Sequence, residues 1–423
     1  MPRIHVSYLL ILLLGLSCFA GSRPGDDRVH LLTKWNEAVL STAEQEDGFL
    51  TLKGLRTTAM MHRAVLIALH ESKASGDSNE LIGLAAFRAA YEIASQSYPD
   101  HAGRWDMLLD LGGWNDATEY SRQPALSIGR SAAQQVLDKR VEDGWDAEPE
   151  YSWHPMGPGV YAEFNEHSGT PEGFIFGAGW GSVKPFALTS PDQFRVIAPP
   201  GIDSDAYTEA FNEVKSVGRN SSEARSEDET HLALWWKDFA ENSHNRLARK
   251  FVNESDISFE SAARMYAMLN AAIFDAYVSS FENKFYYNHW RPYTAIRWAE
   301  NDGNPDTIAD TSWTNTHDHT YAFPSYPSAH GTACAAAMTI MEDTFGDETP
   351  FTMRTDSVDI GGPFSGKMYM DPPTRDFKSF DDAARQCALS RLYLGIHFRY
   401  DSDEGYNLGR KVGEQVLVAA DDW

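Results

Sequence analysis

Residues 323–338 of the chain read FPSYPSAHGTACAAAM. Two prolines in the first five residues disfavour a helix, whereas the alanine-rich run that follows favours one. Ser328 stands at the junction and is a natural N-cap, so the free amides after it form an anion site at a helix N-terminus. His330 would lie beside that anion as a proton donor or acceptor. The alternative is a capped helix with an incidental histidine.

A second segment, residues 284–292, carries two cations. Lys284 and Arg291 are seven residues apart, so a continuous helix would place them on one face. Pro292 disfavours helical geometry at Arg291, and we therefore expect the arginine where one helix ends and another begins. Two surface cations on a solvated helix are the alternative.

The third segment, residues 390–401, reads SRLYLGIHFRYD. Arg391 and His397 would point about 120° apart on an unbroken helix, but Gly395 offers a break that lets them converge. Asp401 lies four residues after His397 and can accept the second imidazole N–H, which would define the tautomer. An exposed His–Asp helical pair is the alternative.

Together the three segments predict a pocket for a compact tetrahedral oxyanion. Arginine supplies forked donors, lysine a point charge and the helix N-terminus backbone amides. A histidine oriented by a carboxylate suits in-line attack on phosphorus or coordination of an isoelectronic metal oxyanion.

The three segments resemble the signature of the type-2 phosphatidic acid phosphatase / vanadium haloperoxidase superfamily. They look most similar to the soluble vanadium-dependent haloperoxidases. The matching motifs are Lys284…Arg291-Pro292, Pro327-Ser328-Ala329-His330 and Ser390-Arg391…His397…Asp401.

The resemblance implies a role for each cofactor-binding residue. Lys284, Arg291 and Arg391 would hold the equatorial oxygens of vanadate. Ser328, by its hydroxyl, and Ala329, by its backbone N–H, would add hydrogen bonds. The family usually has glycine where Ala329 stands, and alanine serves there unless the backbone needs a positive φ.

It also implies the catalytic residues. His397 would be the axial ligand bonded to vanadium, or the phosphorylated nucleophile of a phosphatase, with Asp401 as its partner. His330 would be the acid–base residue. Phe323 stands where some family members carry a second histidine, which puts bromoperoxidase-style halide handling in doubt.

The implied activity is a vanadate-dependent haloperoxidase that oxidises halide with hydrogen peroxide to hypohalous acid, which halogenates a small organic acceptor. One alternative is a secreted, soluble acid phosphatase that uses His397 as nucleophile. Another is a non-catalytic oxyanion-binding protein, against which the paired histidines speak, because binding needs donors but no carboxylate-oriented imidazole.

Composition excludes other classes. The 423 residues include 36 Lys+Arg and 61 Asp+Glu, a formal charge of −25, with 42% hydrophobic residues. This is a globular composition with an acidic surface that repels nucleic-acid phosphates and anionic lipid. We therefore expect no nucleic-acid partner. Because no stretch after the first twenty residues approaches eighteen uninterrupted apolar residues, we also expect no membrane span in the mature chain. A homo-oligomer stays open.

The first twenty residues resemble a secretory signal peptide, residues 1–20. Arg3 and His5 precede an apolar run, and small residues near Ala20 suit cleavage before Gly21. We expect a secreted or periplasmic protein, with a retained or lipidated N-terminus as the alternative. Cleavage would leave two cysteines, Cys334 and Cys387. We expect buried free thiols, with one disulfide in an oxidising compartment as the alternative.

Apolar periodicity predicts an all-α fold of helical bundles with a long Gly/Pro/aromatic-rich connection. The family resemblance implies that this fold is vanadium-haloperoxidase-like. We divide the chain into an N-terminal helical layer (21–150), an irregular connection (151–224) and a C-terminal bundle that carries the oxyanion site (225–423). A loop is expected at 106–121. The predicted helices are 57–75, 80–95, 131–141, 205–217, 229–241, 258–285, 332–345, 379–394 and 403–418.

Overall fold

A computed structural model describes residues 26–47, 51–147, 150–163, 171–360 and 366–423. This part of the chain is helical with little sheet, so the all-α prediction is confirmed. The helices are α1 (Asp27–Asp47), α2 (Leu52–Ala74), α3 (Asn79–Ser97), α4 (Ala102–Leu111), α5 (Glu119–Lys139), α6 (Asp205–Val217), α7 (Glu227–Trp235), α8 (Ala240–Glu254), α9 (Phe259–Tyr287), α10 (Pro292–Trp298), α11 (Ala329–Phe345), α12 (Phe380–Tyr393) and α13 (Arg399–Ala419).

Four short strands lie between α11 and α12. Strands β1 (Phe351–Arg354) and β4 (Thr374–Phe377) pair antiparallel, with Phe351 opposite Phe377. Strands β2 (Ser357–Asp359) and β3 (Lys367–Tyr369) form a second antiparallel pair. The β1–β4 ribbon packs against α12, where the ring centres of Phe351 and Phe380 lie 4.9 Å apart.

The prediction of one continuous helix over residues 229–241 is wrong, because the helix is interrupted there. Helix α7 ends at Trp235 and α8 begins at Ala240. In an unbroken helix the carbonyl of Trp236 would accept the amide of Ala240. It accepts Nη1 of Arg391 at 3.0 Å instead, a contact across 155 residues that no local pattern encodes.

The expected loop at 106–121 is also wrong in part. Its first residues form the last turns of α4, where Trp105, Leu108 and Leu109 face the core. Helices α1, α8 and α10 were not predicted, whereas α6 has the predicted bounds.

One continuous hydrophobic core joins the helices before residue 150 to those after residue 225. Helix α9 lies at its centre, with residues such as Leu269 and Phe274 fully buried on different sides. A helix that is apolar nearly all round is stable only when neighbours surround it. The division into domains stays a prediction, and the signal peptide lies outside the described residues.

The cysteine prediction is wrong, because Cys334 on α11 and Cys387 on α12 form a disulfide. Their Cα atoms are 6.5 Å apart, a separation that a disulfide can span. The two helices come this close because α11 presents Gly331, where a Cβ would lie 3.3 Å from the Cβ of Ala388.

Residues 186–188 lie outside any helix or strand and are anchored on α9. The buried carboxylate of Asp275 accepts three backbone amides, those of Phe186, Ala187 and Leu188, at 2.7–3.0 Å. Burial raises the pKa of Asp275 to about 6, although these hydrogen bonds oppose it. Among the described residues, no helix has the length and apolar character needed to cross a membrane.

Candidate active site

Lys284 lies fully buried in the last turn of α9. Its Nζ donates to the carbonyls of Pro324 and Ser325 at 3.0 and 2.7 Å. Both acceptors belong to the Pro-rich loop before α11, so the lysine joins the first predicted segment to the second.

Arg291 lies between α9 and α10 in an extended backbone conformation, as predicted from Pro292. The side chain is only 1% exposed. Its Nε donates to the carbonyl of Phe323 at 2.9 Å, and its Nη1 donates to that of Ile396 at 3.0 Å. This one guanidinium therefore bridges the loop before α11 and the loop before α13.

Ser328 caps α11, as predicted, because its Oγ accepts the amide of Gly331 at 3.2 Å. Ala329 is the first residue of the helix, so its N–H is among the amides that have no partner within the helix. The backbone of Ala329 has no positive φ, and alanine therefore fits without strain where the related family usually has glycine.

The break at Gly395 also forms as predicted. Its φ is +77°, and a Cβ there would lie 2.3 Å from the carbonyl oxygen of Gly218. Only glycine fits both conditions. The chain then turns, so that His397 precedes α13 while Asp401 lies in its first turn. Their contact crosses the start of a helix instead of running along one.

The carboxylate of Asp401 holds the imidazole of His397. Oδ2 of Asp401 lies 2.9 Å from Nδ1 of His397 and also accepts the amide of Phe398 at 3.1 Å and the hydroxyl of Ser325. Nδ1 of His397 therefore carries the proton, which leaves Nε2 as the accepting nitrogen, and Nη1 of Arg291 donates to it. That Nε2 is 3.5 Å from Nη1 of Arg291, inside the cationic group.

Arg391 and His330 meet at the carbonyl of Trp236. Nη1 of Arg391 donates to it at 3.0 Å, and the His330 ring makes a hydrogen bond to the same backbone group. Nε of Arg391 and Nε2 of His330 are both buried and have no hydrogen-bond partner within the described part of the chain. Each is a polar atom available to a ligand. The sulfurs of the Cys334–Cys387 disulfide lie within 4.8 Å of a His330 ring nitrogen.

The electrostatics of the pocket favour a bound anion. Burial, reinforced by Arg291, lowers the pKa of His397 well below its ordinary value, and burial with Arg391 does the same to His330. Burial also lowers the pKa of Lys284, with Arg291 adding to the effect. Positive charges thus destabilise one another here, and an anion would relieve that repulsion.

Asp401 is the carboxylate in contact with this group. Burial raises its pKa to about 7, although the Ser325 hydroxyl and the Lys284 ammonium oppose this. One carboxylate faces three buried cations, so the pocket keeps an excess of positive charge when Asp401 is ionised.

The structure brings together the predicted site residues, which are Lys284, Arg291, Ser328, Ala329, His330, Arg391, His397 and Asp401. Their arrangement fits a small tetrahedral oxyanion such as vanadate. Arg391 Nε and His330 Nε2 are buried without a partner among the described residues, and the unprotonated Nε2 of His397 lies in the same pocket. The individual roles stay predictions.

Several contributors to the pocket were not predicted from the sequence. Trp236 contributes its backbone carbonyl, and since every residue has one, its identity gives no signal in the sequence. Ser325 lies in the opening stretch, but nothing local marks it as a partner of Asp401. Phe323 was noted only for the histidine it replaces, yet its ring centre lies 4.7 Å from Cζ of Arg291 and 5.3 Å from Nζ of Lys284.

Comparison with known proteins relates one part of the chain to a known domain. Residues 264–422 match the family model of the VCPO second helical-bundle domain. The vanadium chloroperoxidase of Curvularia inaequalis is 26% identical over 279 residues, which cover 52% of this chain and 45% of that protein. The chain thus aligns with less than half the length of this relative.

Two solved structures share the fold. The first bacterial vanadium-dependent iodoperoxidase superposes with a TM-score of 0.74 at 22% identity, covering 94% of this chain and 98% of the other. A holo-type bacterial vanadium-dependent chloroperoxidase gives a TM-score of 0.67 at 16% identity, with coverage of 88% and 93%. The fold and the bundle domain are therefore those of the vanadium haloperoxidase class. Residues 264–422 carry the second helical-bundle domain of that class, and the chain as a whole shares its fold.

Proposed function

We propose that the protein is a vanadate-dependent haloperoxidase. One halide, one hydrogen peroxide and one proton would give one hypohalous acid and one water, and the hypohalous acid would halogenate a small organic acceptor. The observation that carries the proposal is the unprotonated Nε2 of His397, which Asp401 orients into a pocket of buried cations.

Vanadate would be held by the cationic side chains. Lys284, Arg291 and Arg391 would donate charge-assisted hydrogen bonds to its oxygens, and Ser328 and Ala329 would add a hydroxyl and an amide. Bound vanadate would supply a Lewis acid that activates hydrogen peroxide toward halide.

The two histidines would divide the remaining work. His397 would present Nε2 as the metal ligand, because its Nδ1–H is committed to Asp401. His330 would exchange protons with peroxide. Its lowered pKa keeps it neutral at neutral pH, so it can accept a proton there and return it as hypohalous acid and water form.

The test begins with protein freed of oxyanions by dialysis and then titrated with orthovanadate. We expect peroxide consumption that needs chloride, bromide or iodide, and that phosphate suppresses by competition. His397→Ala should abolish it, whereas the matched control His30→Ala, on the exposed side of α1, should not.

No halide-dependent peroxide consumption over a broad pH range would overturn the proposal. If the same protein instead hydrolysed a simple phosphomonoester, with vanadate as inhibitor and His397→Ala inactive, the soluble phosphatase would replace it.

We also propose that residues 1–20 direct export. Mass spectrometry of the mature protein from its native host should show a chain that begins at Gly21. A mature chain that keeps residues 1–20 would contradict this.

A further inference from the structure

Tyr161 lies in the irregular connection and has a buried hydroxyl. The residue is 4% exposed. Its phenolic oxygen has no hydrogen-bond partner among the residues that the structure describes. A buried hydroxyl without a partner is unfavourable unless a ligand or water supplies one.

Backbone pairing places Tyr161 beside the segment that joins Lys284 to Arg291. The amide of Tyr161 donates to the carbonyl of Asn288 at 2.8 Å, and Nδ2 of Asn288 returns a hydrogen bond to the Tyr161 carbonyl at 2.9 Å. The amide of Trp290 donates to the carbonyl of Gly159 at 3.1 Å. The tyrosine backbone is therefore tied to the residues that separate the two cations.

The side chain of Tyr161 is oriented by its neighbours. Its ring stacks on Trp153, with the ring centres 5.9 Å apart and the planes inclined by 26°. Burial raises the pKa of the phenol, and the Arg291 guanidinium acts in the opposite direction. The hydroxyl is thus within electrostatic range of the side chain that bridges the two loops of the pocket.

We propose that the Tyr161 hydroxyl is a further hydrogen-bond donor to the bound oxyanion, on the side of the pocket that Arg291 occupies. This inference rests on the proposed function, since the oxyanion it would contact is vanadate. A phenol suits this position because it donates without adding positive charge to a pocket already rich in it.

The test compares two tyrosines, each of which has a buried hydroxyl without a hydrogen-bond partner among the described residues. Tyr266 is also buried without a partner for its hydroxyl within the described residues, but its ring stacks on His62 between α2 and α9, in the core. Calorimetric titration with orthovanadate, and separately with inorganic phosphate, gives the dissociation constants of Tyr161→Phe, Tyr266→Phe and the unaltered protein.

We expect Tyr161→Phe to bind orthovanadate roughly tenfold to a hundredfold more weakly, the loss of one hydrogen bond to a charged acceptor. Its melting temperature without ligand should not fall, because the hydroxyl it lacks had no partner. Tyr266→Phe should bind with unchanged affinity.

A Tyr161→Phe affinity within twofold of the unaltered protein would overturn this inference and leave the proposed function intact. If the unaltered protein bound neither anion, the proposed function would fail with it. A crystal structure of the orthovanadate complex gives an answer independent of any variant. We expect the Tyr161 hydroxyl about 2.7 Å from an oxyanion oxygen, and a separation beyond hydrogen-bond range would refute the contact.

Discussion

Replacing Asp401 by asparagine tests how the pocket prepares His397. The carboxylate oxygen Oδ2 receives three donors, from Ser325, His397 and Phe398, and Asp401 is fully buried. The other oxygen, Oδ1, is buried without a partner in the described ranges. Asparagine keeps one acceptor oxygen but removes the charge and places an amide group where Oδ1 lies.

The expected losses of stability and of vanadate affinity follow from these contacts. A hydrogen bond to a charged group contributes about 1.5–3 kcal/mol against about 1 kcal/mol for a neutral one, and an unpaired buried amide costs about 1–3 kcal/mol. We expect Asp401→Asn to lower the free energy of unfolding by on the order of 2 kcal/mol at pH 6. The loss should be smaller at pH 8, because the raised pKa means that ionisation of the buried Asp401 destabilises the unaltered protein there. Since Asp401 orients His397, vanadate affinity should fall by about 10–100-fold.

The pKa of Asp401, about 7, adds a signature in pH. Above pH 7 the aspartate is charged and differs most from asparagine, whereas below pH 7 it is protonated and the difference shrinks. The affinity gap between the two proteins should therefore be larger at pH 8 than at pH 6.

The assay is calorimetric titration with orthovanadate at both pH values, with urea unfolding in parallel. Asp403→Asn, two residues further along α13 and exposed, is the matched control. An Asp401→Asn protein that binds vanadate at pH 8 within twofold of the unaltered one would refute the view that this carboxylate prepares the imidazole.

Three further measurements test other parts of the structure. Burial and the positive charge of Arg391 lower the pKa of His330, so a bound anion that offsets that charge should raise this pKa, and orthovanadate should bind with proton uptake near pH 6. Calorimetry in buffers of different ionisation enthalpy measures the number of protons taken up. Zero uptake would contradict this explanation of the lowered pKa. Burial raises the pKa of Glu241 to about 7, above its ordinary 4.5, so its stabilising contribution is lost as the pH rises through 7. The free energy of unfolding of Glu241→Gln, relative to that of the unaltered protein, should therefore rise by about 2–3 kcal/mol between pH 5 and pH 8, as measured by urea unfolding. A difference that does not change with pH would count against a raised pKa at Glu241. Replacing Cys334 and Cys387 together by alanine should lower the free energy of unfolding by about 4 kcal/mol, from the 53-residue separation of the two cysteines; reductant should destabilise the unaltered protein and not the double variant.

Local chemistry was predictable wherever one residue constrains its own backbone. Ser328 was expected to cap a helix, Arg291 to lie before a new one and Gly395 to break one, and all three do so. Each depends on interactions within a few residues, such as a side chain bonded to a nearby amide or a ring that clashes with the preceding backbone.

Errors arose where a distant segment competes with a local preference. The helical pattern at 229–241 is locally sound, yet the carbonyl of Trp236 is taken by Arg391 and the helix breaks. The disulfide was also missed, because the approach of α11 to α12 depends on packing at Gly331 and not on the spacing of the cysteines.

The sequence by itself therefore determined the helical class, the local breaks and the set of charged and imidazole side chains available for an oxyanion. Only the tertiary structure decided how these groups are aimed, by joining Asp401 to Ser325 and Tyr161 to the segment before Arg291. The physical reason is range. Helix caps and breaks come from interactions a few residues apart, whereas a pocket depends on contacts between residues tens to more than a hundred positions apart, which form only when the whole core packs.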